Sequence, residues 1–269
     1  MRSYAALIYF FLYAPIALIV GFSFNSGKYA MDWQGFSLQW YGKAFSNPLI
    51  TEALMTSLTI AGSTAFLSAI IGTLTALGLE RVTGWLRHLF DGLLYIAIMV
   101  PGIVIGISTL IAFVTLFNAV NPMLLAALNL KIEMGVWTVV AAHVLGNIAV
   151  VCLLVRARLS GMDRSLVEAS EDLYATPMGT FRQVVLPLLA PSILAGFLLA
   201  FTFSFDDFII AFFVAGPNVT LPIYVFSSIR RGVTPEINAV GTVVLLSSFA
   251  LLIAAQVILQ RSGQKLRRR

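Results

Sequence analysis

Six long apolar runs set the strongest limit on what this chain can fold into. A helix needs about 20 consecutive apolar residues to cross a bilayer core of roughly 30 Å, and each run reaches that length. Only 11% of the 269 residues are charged, whereas soluble domains carry about 25%. The sequence therefore predicts an all-α membrane protein of one domain, residues 1–269, with six transmembrane helices at about residues 4–24, 54–79, 89–117, 136–155, 192–214 and 239–259.

The placement of lysine and arginine predicts the orientation of these spans. With the N-terminus inside, 12 of these residues fall on the cytoplasmic side and 5 on the outer side. Because short cytoplasmic loops are enriched in Lys and Arg, we expect both termini, and the polar loop 156–190, to be cytoplasmic. The net charge of +5 does not indicate nucleic-acid binding, since the basic residues flank apolar runs rather than form a polar face.

The polar loop between the fourth and fifth runs has two helix-start signals. Ser165 and Glu168 have the spacing of a capping box, which predicts a helix beginning near Leu166. Thr176 followed by Pro177 has the N-cap and first-position preferences of a second helix. The loop is therefore predicted to be a helix–turn–helix that stands in water beside the membrane.

The same loop resembles the coupling segment of permease subunits in ABC importers, which usually reads Glu-Ala-Ala, then Gly, then Leu-Pro. The matching residues are Glu168-Ala169-Ser170, Leu173, Ala175, Phe181 and Leu186-Pro187. Tyr174 stands at the usual Gly position, where Gly permits a positive φ. The resemblance implies that the segment docks on a cytoplasmic ATPase dimer through Leu166, Glu168, Ala169, Ser170, Leu173, Tyr174, Ala175, Thr176 and Pro177. The plainer alternative is an amphipathic cytosolic loop without a partner.

Two adjacent carboxylates, Asp206 and Asp207, interrupt the fifth apolar run. Each would cost about 2.5–3.5 kcal/mol near the middle of a bilayer, so the acidic side should face protein or a wet cavity. Successive helical residues point about 100° apart, and we expect one carboxylate to face the pathway and the other a helix or loop donor. Phe205, Asp206 and Asp207 are the candidate substrate-pathway residues, because aromatic rings and carboxylates together bind ammonium groups. A purely structural role, accepting hydrogen bonds from hydroxyls or amides, is the alternative.

The remaining reactive residues do not indicate an enzyme. His143 in the fourth run has no second histidine at metal-binding spacing, and we expect it to be a hydrogen-bonded contact between helices. The single cysteine, Cys152, is predicted to be a buried, inert thiol. No Walker sequence G-x-x-x-x-G-K-[ST] occurs. We therefore expect this chain to bind no metal or cofactor, with ATP and Mg²⁺ on a separate ATPase chain.

The segment from Ser204 to Ala239 resembles permeases of spermidine/putrescine importers. It carries Asp206-Asp207, Gly216-Pro217, Leu221-Pro222 and Pro235-Glu236-Ile237-Asn238-Ala239 in the order typical of that family. The resemblance implies a type I ABC-importer permease fold in a bacterial cytoplasmic membrane.

The partners implied by this family are a second homologous permease subunit, the ATPase dimer and an extracytoplasmic solute-binding protein. The expected function is inward passage of a small cationic solute, a polyamine such as spermidine or putrescine. Two alternatives stay open: an importer for another small solute, such as an amino-acid derivative, opine or thiamine, or a proton-coupled secondary transporter that works without an ATPase.

Overall fold

The chain is helical almost throughout the residues that the computed structural model describes, 2–29, 32–230, 232 and 234–267. Within these ranges it forms twelve α-helices and one turn of π-helix, Phe181–Val185. The α-helices are α1 (Arg2–Phe22), α2 (Gln39–Ser46), α3 (Pro48–Leu79), α4 (Trp85–Met99), α5 (Gly102–Leu128), α6 (Val136–Ser160), α7 (Ser165–Asp172), α8 (Pro177–Thr180), α9 (Leu186–Asp206), α10 (Ile209–Val214), α11 (Leu221–Ile229) and α12 (Pro235–Arg267).

Five helices in the described part of the chain are long and apolar enough to cross a membrane. They are Tyr4–Phe22, Pro48–Leu79, Gly102–Leu128, Val136–Ser160 and the continuous helix Pro177–Asp206. In α12, the stretch Pro235–Ala250 is apolar but shorter than a span, and most side chains beyond it lie outside the described residues. The all-helical fold class is confirmed, while the count of six spans and the side on which the termini lie stay predictions.

The apolar run predicted as the third span, residues 89–117, is not one continuous helix. It divides into α4, which ends at Met99, and α5, which begins at Gly102. Pro101 has no amide hydrogen and disfavours a helical conformation at the residue before it; Val100 is accordingly extended, with φ −66° and ψ 126°. The helix in this region that is long and apolar enough to cross a membrane is α5. It ends eleven residues beyond the predicted end at residue 117.

The apolar run predicted as the fifth span, residues 192–214, is likewise not one continuous helix. The helix starts at Pro177, widens into the π-turn, and ends at Asp206. Asp207 is extended, with φ −71° and ψ 118°, and a separate short helix, α10, follows. The π-turn ends at Val185, two residues before Pro187, whose missing N–H and bulky ring disturb the regular helical pattern. Both ends of the predicted loop 156–190 are consequently helical.

The described chain divides into two compact units, Leu54–Ile223 and Met1–Ala53 together with Tyr224–Arg269. In the first unit, small residues let three helices approach closely. A Cβ added to Gly72 of α3 would stand 2.7 Å from the Val151 side chain of α6, and one on Gly196 of α9 would stand 3.1 Å from it. Cys152 next to Val151 is buried and has no disulfide partner, as predicted.

The other unit is built from α1, α2 and α12, with α2 and α1 both packed on α12. Asn47, at the end of α2, donates a hydrogen bond of 3.0 Å from its side-chain amide to Glu236 Oε1 in the first turn of α12. The indole of Trp40 is buried, and the Lys43 ammonium lies 4.2 Å from its ring centroid. This contact is an attraction between a cation and an aromatic face.

Candidate functional site

Asp163, and not Ser165, caps the first helix of the polar loop. The Ser165 N–H donates to Asp163 Oδ1 at 3.0 Å, and Ser165 is itself the first residue of α7. The backbone and side-chain hydrogen bonds from Ser165 hold the pKa of the exposed Asp163 carboxyl below its usual value. The predicted capping box is therefore wrong, because Ser165 lies inside α7 as its first residue and not at the N-cap position, where its hydroxyl could accept from an amide.

The turn after α7 has the hydrogen bonds of a Schellman motif. The N–H of Tyr174 donates to the Glu171 carbonyl at 2.9 Å, and the N–H of Ala175 donates to the Ser170 carbonyl at 3.1 Å. The motif requires a left-handed residue at the position after the C-cap, most often Gly. Tyr174 fills that position with φ +59°. The backbone thus adopts the turn that the usual Gly would allow, with a bulky side chain in its place.

The second helix of the loop starts as predicted. Thr176 is extended, with φ −69° and ψ 154°, and its hydroxyl accepts a 3.2 Å hydrogen bond from the Gly179 N–H. Pro177 is the first helical residue. The hydroxyl of Ser170 lies 2.9 Å from that of Thr180, so the two short helices are joined by one hydrogen bond. This bond involves the position where related loops usually carry Ala, and the spacing of the motif gave no sign of it.

The nine candidate docking residues lie together on one elbow, which we define as residues 161–180. Leu166 to Ser170 lie in α7, Leu173 to Thr176 form the turn, and Pro177 begins α8. The elbow exposes large apolar side chains: Leu173 is 82% exposed, Tyr174 96% and Met178 71%. Exposed apolar groups clustered in an otherwise polar segment are typical of a surface that contacts another protein or a membrane.

The candidate pathway residues separate at the break between α9 and α10. The Phe205 ring is buried and stacks on Phe201, with centroids 5.9 Å apart. Asp206, the last residue of α9, is exposed. Asp207 accepts hydrogen bonds at Oδ1 from the Ile210 N–H at 2.8 Å and the Ala211 N–H at 3.2 Å. Asp207 therefore acts as the cap of α10, as an aspartate before a helix commonly does.

His143 forms the contact between helices that the sequence predicts, and one that it does not. Its Nδ1 lies 2.7 Å from the Ser204 hydroxyl of α9. Its Nε2 lies 3.4 Å from Asp207 Oδ1, which is longer than an N–H···O hydrogen bond of about 2.7–3.2 Å, and this nitrogen makes no other hydrogen bond. The nearness of His143 to Asp207, 64 residues away, leaves no local signal in the sequence.

An ion pair between two helices was also missed. Arg156, in the last turns of α6, donates to the Asp91 carboxylate of α4, and both side chains are partly buried. From the sequence, Arg156 contributed only to the excess of positive charge that predicts which side of the membrane is cytoplasmic. In the described part of the chain, His, Cys, Asp and Glu side chains form no cluster of three or more that could hold a metal ion.

Known proteins resemble this chain over most of its length. The family described as "Binding-protein-dependent transport system inner membrane component" matches residues 68–268. The spermidine/putrescine transport system permease protein PotC of Haemophilus influenzae is 35% identical over 97% of this chain and 97% of its own. The putrescine transport system permease protein PotI of Escherichia coli is 41% identical over 87% of this chain and 82% of its own.

A solved structure shows the same fold at low sequence identity. A chain of a bacterial ABC transporter involved in the import of the acidic polysaccharide alginate superimposes with a TM-score of 0.67 and 16% identity. The match covers 98% of this chain and 93% of that chain. With the family match spanning residues 68–268 and full-length relatives above 30% identity, the chain belongs to the family of inner membrane components of binding-protein-dependent transport systems.

Proposed function

We propose that this chain is one of two transmembrane subunits through which an ATP-driven importer moves a polyamine into the cytoplasm. The observation that carries the solute class is the exposed Asp206 carboxylate at the end of an apolar helix. Relatives of similar length are named as spermidine/putrescine and putrescine permeases. Their solutes are linear polycations, which a carboxylate in an otherwise apolar pathway would attract.

The surroundings of Asp206 suit an ammonium group. Leu199, Thr202 and Phe203 precede it by seven, four and three residues on α9 and are exposed on the same side of that helix. If this side of α9 faced lipid, placing the Asp206 carboxylate there would cost free energy. If it faces a wet pathway, the carboxylate stays free to bind. The Phe203 ring, 52% exposed, can add a cation–π contact. Phe205, which is buried, would contribute by packing against Phe201.

The elbow is the proposed attachment point for the motor of the transporter. ATP and Mg²⁺ would bind a separate cytoplasmic ATPase dimer, because this chain has no phosphate-binding Walker sequence. Docking would bury the Leu173 and Tyr174 side chains, which extend into solvent here. The continuous helix from Pro177 to Asp206 joins the elbow to the carboxylates. Movement at the elbow would therefore reach the pathway through a single helical connection.

The rest of the assembly follows from the same proposal. A second homologous permease subunit would complete the pathway, and an extracytoplasmic solute-binding protein would deliver the polyamine. The excess of Lys and Arg on one side of the spans supports cytoplasmic termini and a cytoplasmic elbow. The location is an inner membrane, as the family description states, and the bacterial relatives support a bacterial one.

Uptake in cells tests this proposal. A bacterial strain without other polyamine importers would express the complete transporter, with and without this chain. We expect radiolabelled spermidine or putrescine to accumulate only when the chain is present. Unlabelled thiamine, an opine or a neutral amino acid should not compete, whereas unlabelled polyamine should. Competition by one of the other solutes, with no effect of polyamine, would contradict the assignment.

A further inference from the structure

We propose that the two adjacent carboxylates have different tasks: Asp206 meets the cationic solute, while Asp207, fixed by α10 and His143, is a positioning residue. This inference rests on the proposed function and adds a division of roles within the same site. Four observations carry it: the capping bonds of Asp207, the buried contact with His143, the anchoring of α10, and the free carboxylate of Asp206.

The Asp207 carboxylate is committed to the protein. One of its oxygens accepts from two backbone amides in the first turn of α10. These amides have no partner within the short helix, because the first N–H groups of any helix lack one. A solute that drew Asp207 away would leave both amides unsatisfied in an apolar environment. Asp207 is therefore a poor choice for a transient ligand.

His143, on the neighbouring helix α6, lies beside Asp207, with its Nε2 3.4 Å from Asp207 Oδ1. Its side chain is 3% exposed, and its backbone carbonyl accepts a 2.9 Å hydrogen bond from the Asn147 side-chain amide. We place the ring proton on Nε2, the nitrogen that faces Asp207 Oδ1, because a carboxyl oxygen can accept from an N–H. The opposite nitrogen, Nδ1, then accepts from the Ser204 hydroxyl at 2.7 Å. This tautomer satisfies Ser204 and points a donor at Asp207.

The short helix α10 is also fixed at its far end and along its side. The Thr138 hydroxyl of α6 donates to the Val214 carbonyl at 2.6 Å. A Cβ on Gly106 of α5 would lie 2.7 Å from the Phe213 ring and 3.4 Å from the Ile210 Cα, so α5 packs closely against α10. Contacts from α5 and α6 thus set the position of α10, and α10 sets the position of Asp207.

Asp206 is in the opposite situation. It is exposed, and in the part of the chain that the structure describes it makes no hydrogen bond or ion pair. Asp206 is the last residue of α9 and is directly joined to Asp207. A carboxylate that is free itself but attached to a restrained neighbour can bind a cation without being reoriented. Such preorganisation reduces the cost of binding.

Kinetics of the complete transporter in vesicles test this division. Asp206→Asn should raise the apparent KM for spermidine about tenfold or more, because it removes a charge-assisted contact. Asp207→Asn keeps an oxygen for the Ile210 and Ala211 amides and should change the KM less than about threefold. His143→Leu should raise the KM several-fold, and His143→Gln, which keeps a donor, should restore most of it.

The double variant His143→Leu with Asp206→Asn separates positioning from a general structural defect. If His143 acts through the placement of Asp206, its substitution should add no further increase in KM once Asp206 is neutral. An independent, additive increase in the double variant would contradict the positioning role. Equal KM changes for Asp206→Asn and Asp207→Asn would contradict the division.

Cysteine labelling gives a measurement that does not depend on transport rates. The only native cysteine, Cys152, is buried, so background reaction should be small. Asp206→Cys should react with a cationic thiol reagent and be protected by spermidine, and Asp207→Cys should be neither reactive nor protected. The reverse pattern would overturn the inference. If the unmodified transporter moves no polyamine at all, the proposed function fails, and this is distinguishable from a failure to divide the two roles.

Discussion

Tyr174 has a backbone conformation that residues with a side chain rarely adopt. Its φ is +59°, and its side chain is almost fully exposed, so no packing contact within the chain compensates for the conformation. A left-handed L-residue other than Gly or Asn costs about 1–2 kcal/mol. The two Schellman hydrogen bonds hold the turn in place, and the protein keeps Tyr where Gly would be less strained.

Tyr174→Gly should make the turn harder to open, whereas Tyr174→Ala should not. Both variants remove the phenol ring, but only Gly removes the steric conflict of the left-handed conformation. We expect amide hydrogen exchange over residues 170–176 to be about fivefold slower in the Gly variant than in the Ala variant, which corresponds to about 1 kcal/mol. Equal exchange in the two variants would show that the turn is not strained at Tyr174.

Local chemistry explains which caps the sequence could predict. Thr176 followed by Pro177 allows only one helix start, and the structure has it. Asp163 and Ser165 are two competing caps two residues apart, and the charged one forms the bond. The positive φ of Tyr174 could be expected only because related loops carry Gly at that position. A Tyr residue at this position would by itself indicate a negative φ.

Helical elements were predictable where a long apolar run is free of proline and of paired charges, as in α3 and α6. The break at Pro101 follows from the sequence, because proline disfavours a helical residue before it. The break at Asp207 could not, since it depends on His143 and Thr138 of α6 holding α10 in place. These two breaks show that a long apolar run identifies a membrane-embedded segment but does not establish that the segment forms one helix.

Charge reversal within α7 tests the elbow as a docking element. Glu168→Arg should weaken binding of the ATPase about tenfold or more, as expected for a central residue of an interface. Glu171→Arg is the matched control, because it makes the same change at an exposed position of the same helix outside the predicted docking set. The amount of ATPase that copurifies with each variant in detergent measures the difference.

The expected pattern is release of the ATPase by Glu168→Arg and retention by Glu171→Arg. Retention by both variants, with ATP hydrolysis still coupled to uptake, would exclude Glu168 from the interface. Release by both would indicate a general electrostatic effect of the elbow rather than a specific contact. Helix content measured by circular dichroism should remain unchanged in each, since both positions are exposed.

For the molecule as a whole, hydrophobic composition and the family resemblance predicted the fold and the family, whereas local sequence patterns predicted less of the site geometry. The all-helical membrane fold and the permease family are confirmed. The candidate site was predicted as a pair of carboxylates, and the structure adds the asymmetry between them: Asp207 caps a helix, and Asp206 is free. That asymmetry arises from tertiary contacts of α6 and α10, which no local pattern encodes.

We propose that this chain conducts solute only when an ATPase acts on it from the cytoplasmic side. Vesicles containing the purified chain alone should not accumulate spermidine, with or without a pH gradient. Vesicles containing the complete transporter should accumulate it when ATP and Mg²⁺ reach the ATPase, and should stop when ATP is replaced by a non-hydrolysable analogue. Accumulation by the chain alone, driven by the pH gradient, would contradict the account and indicate a secondary transporter.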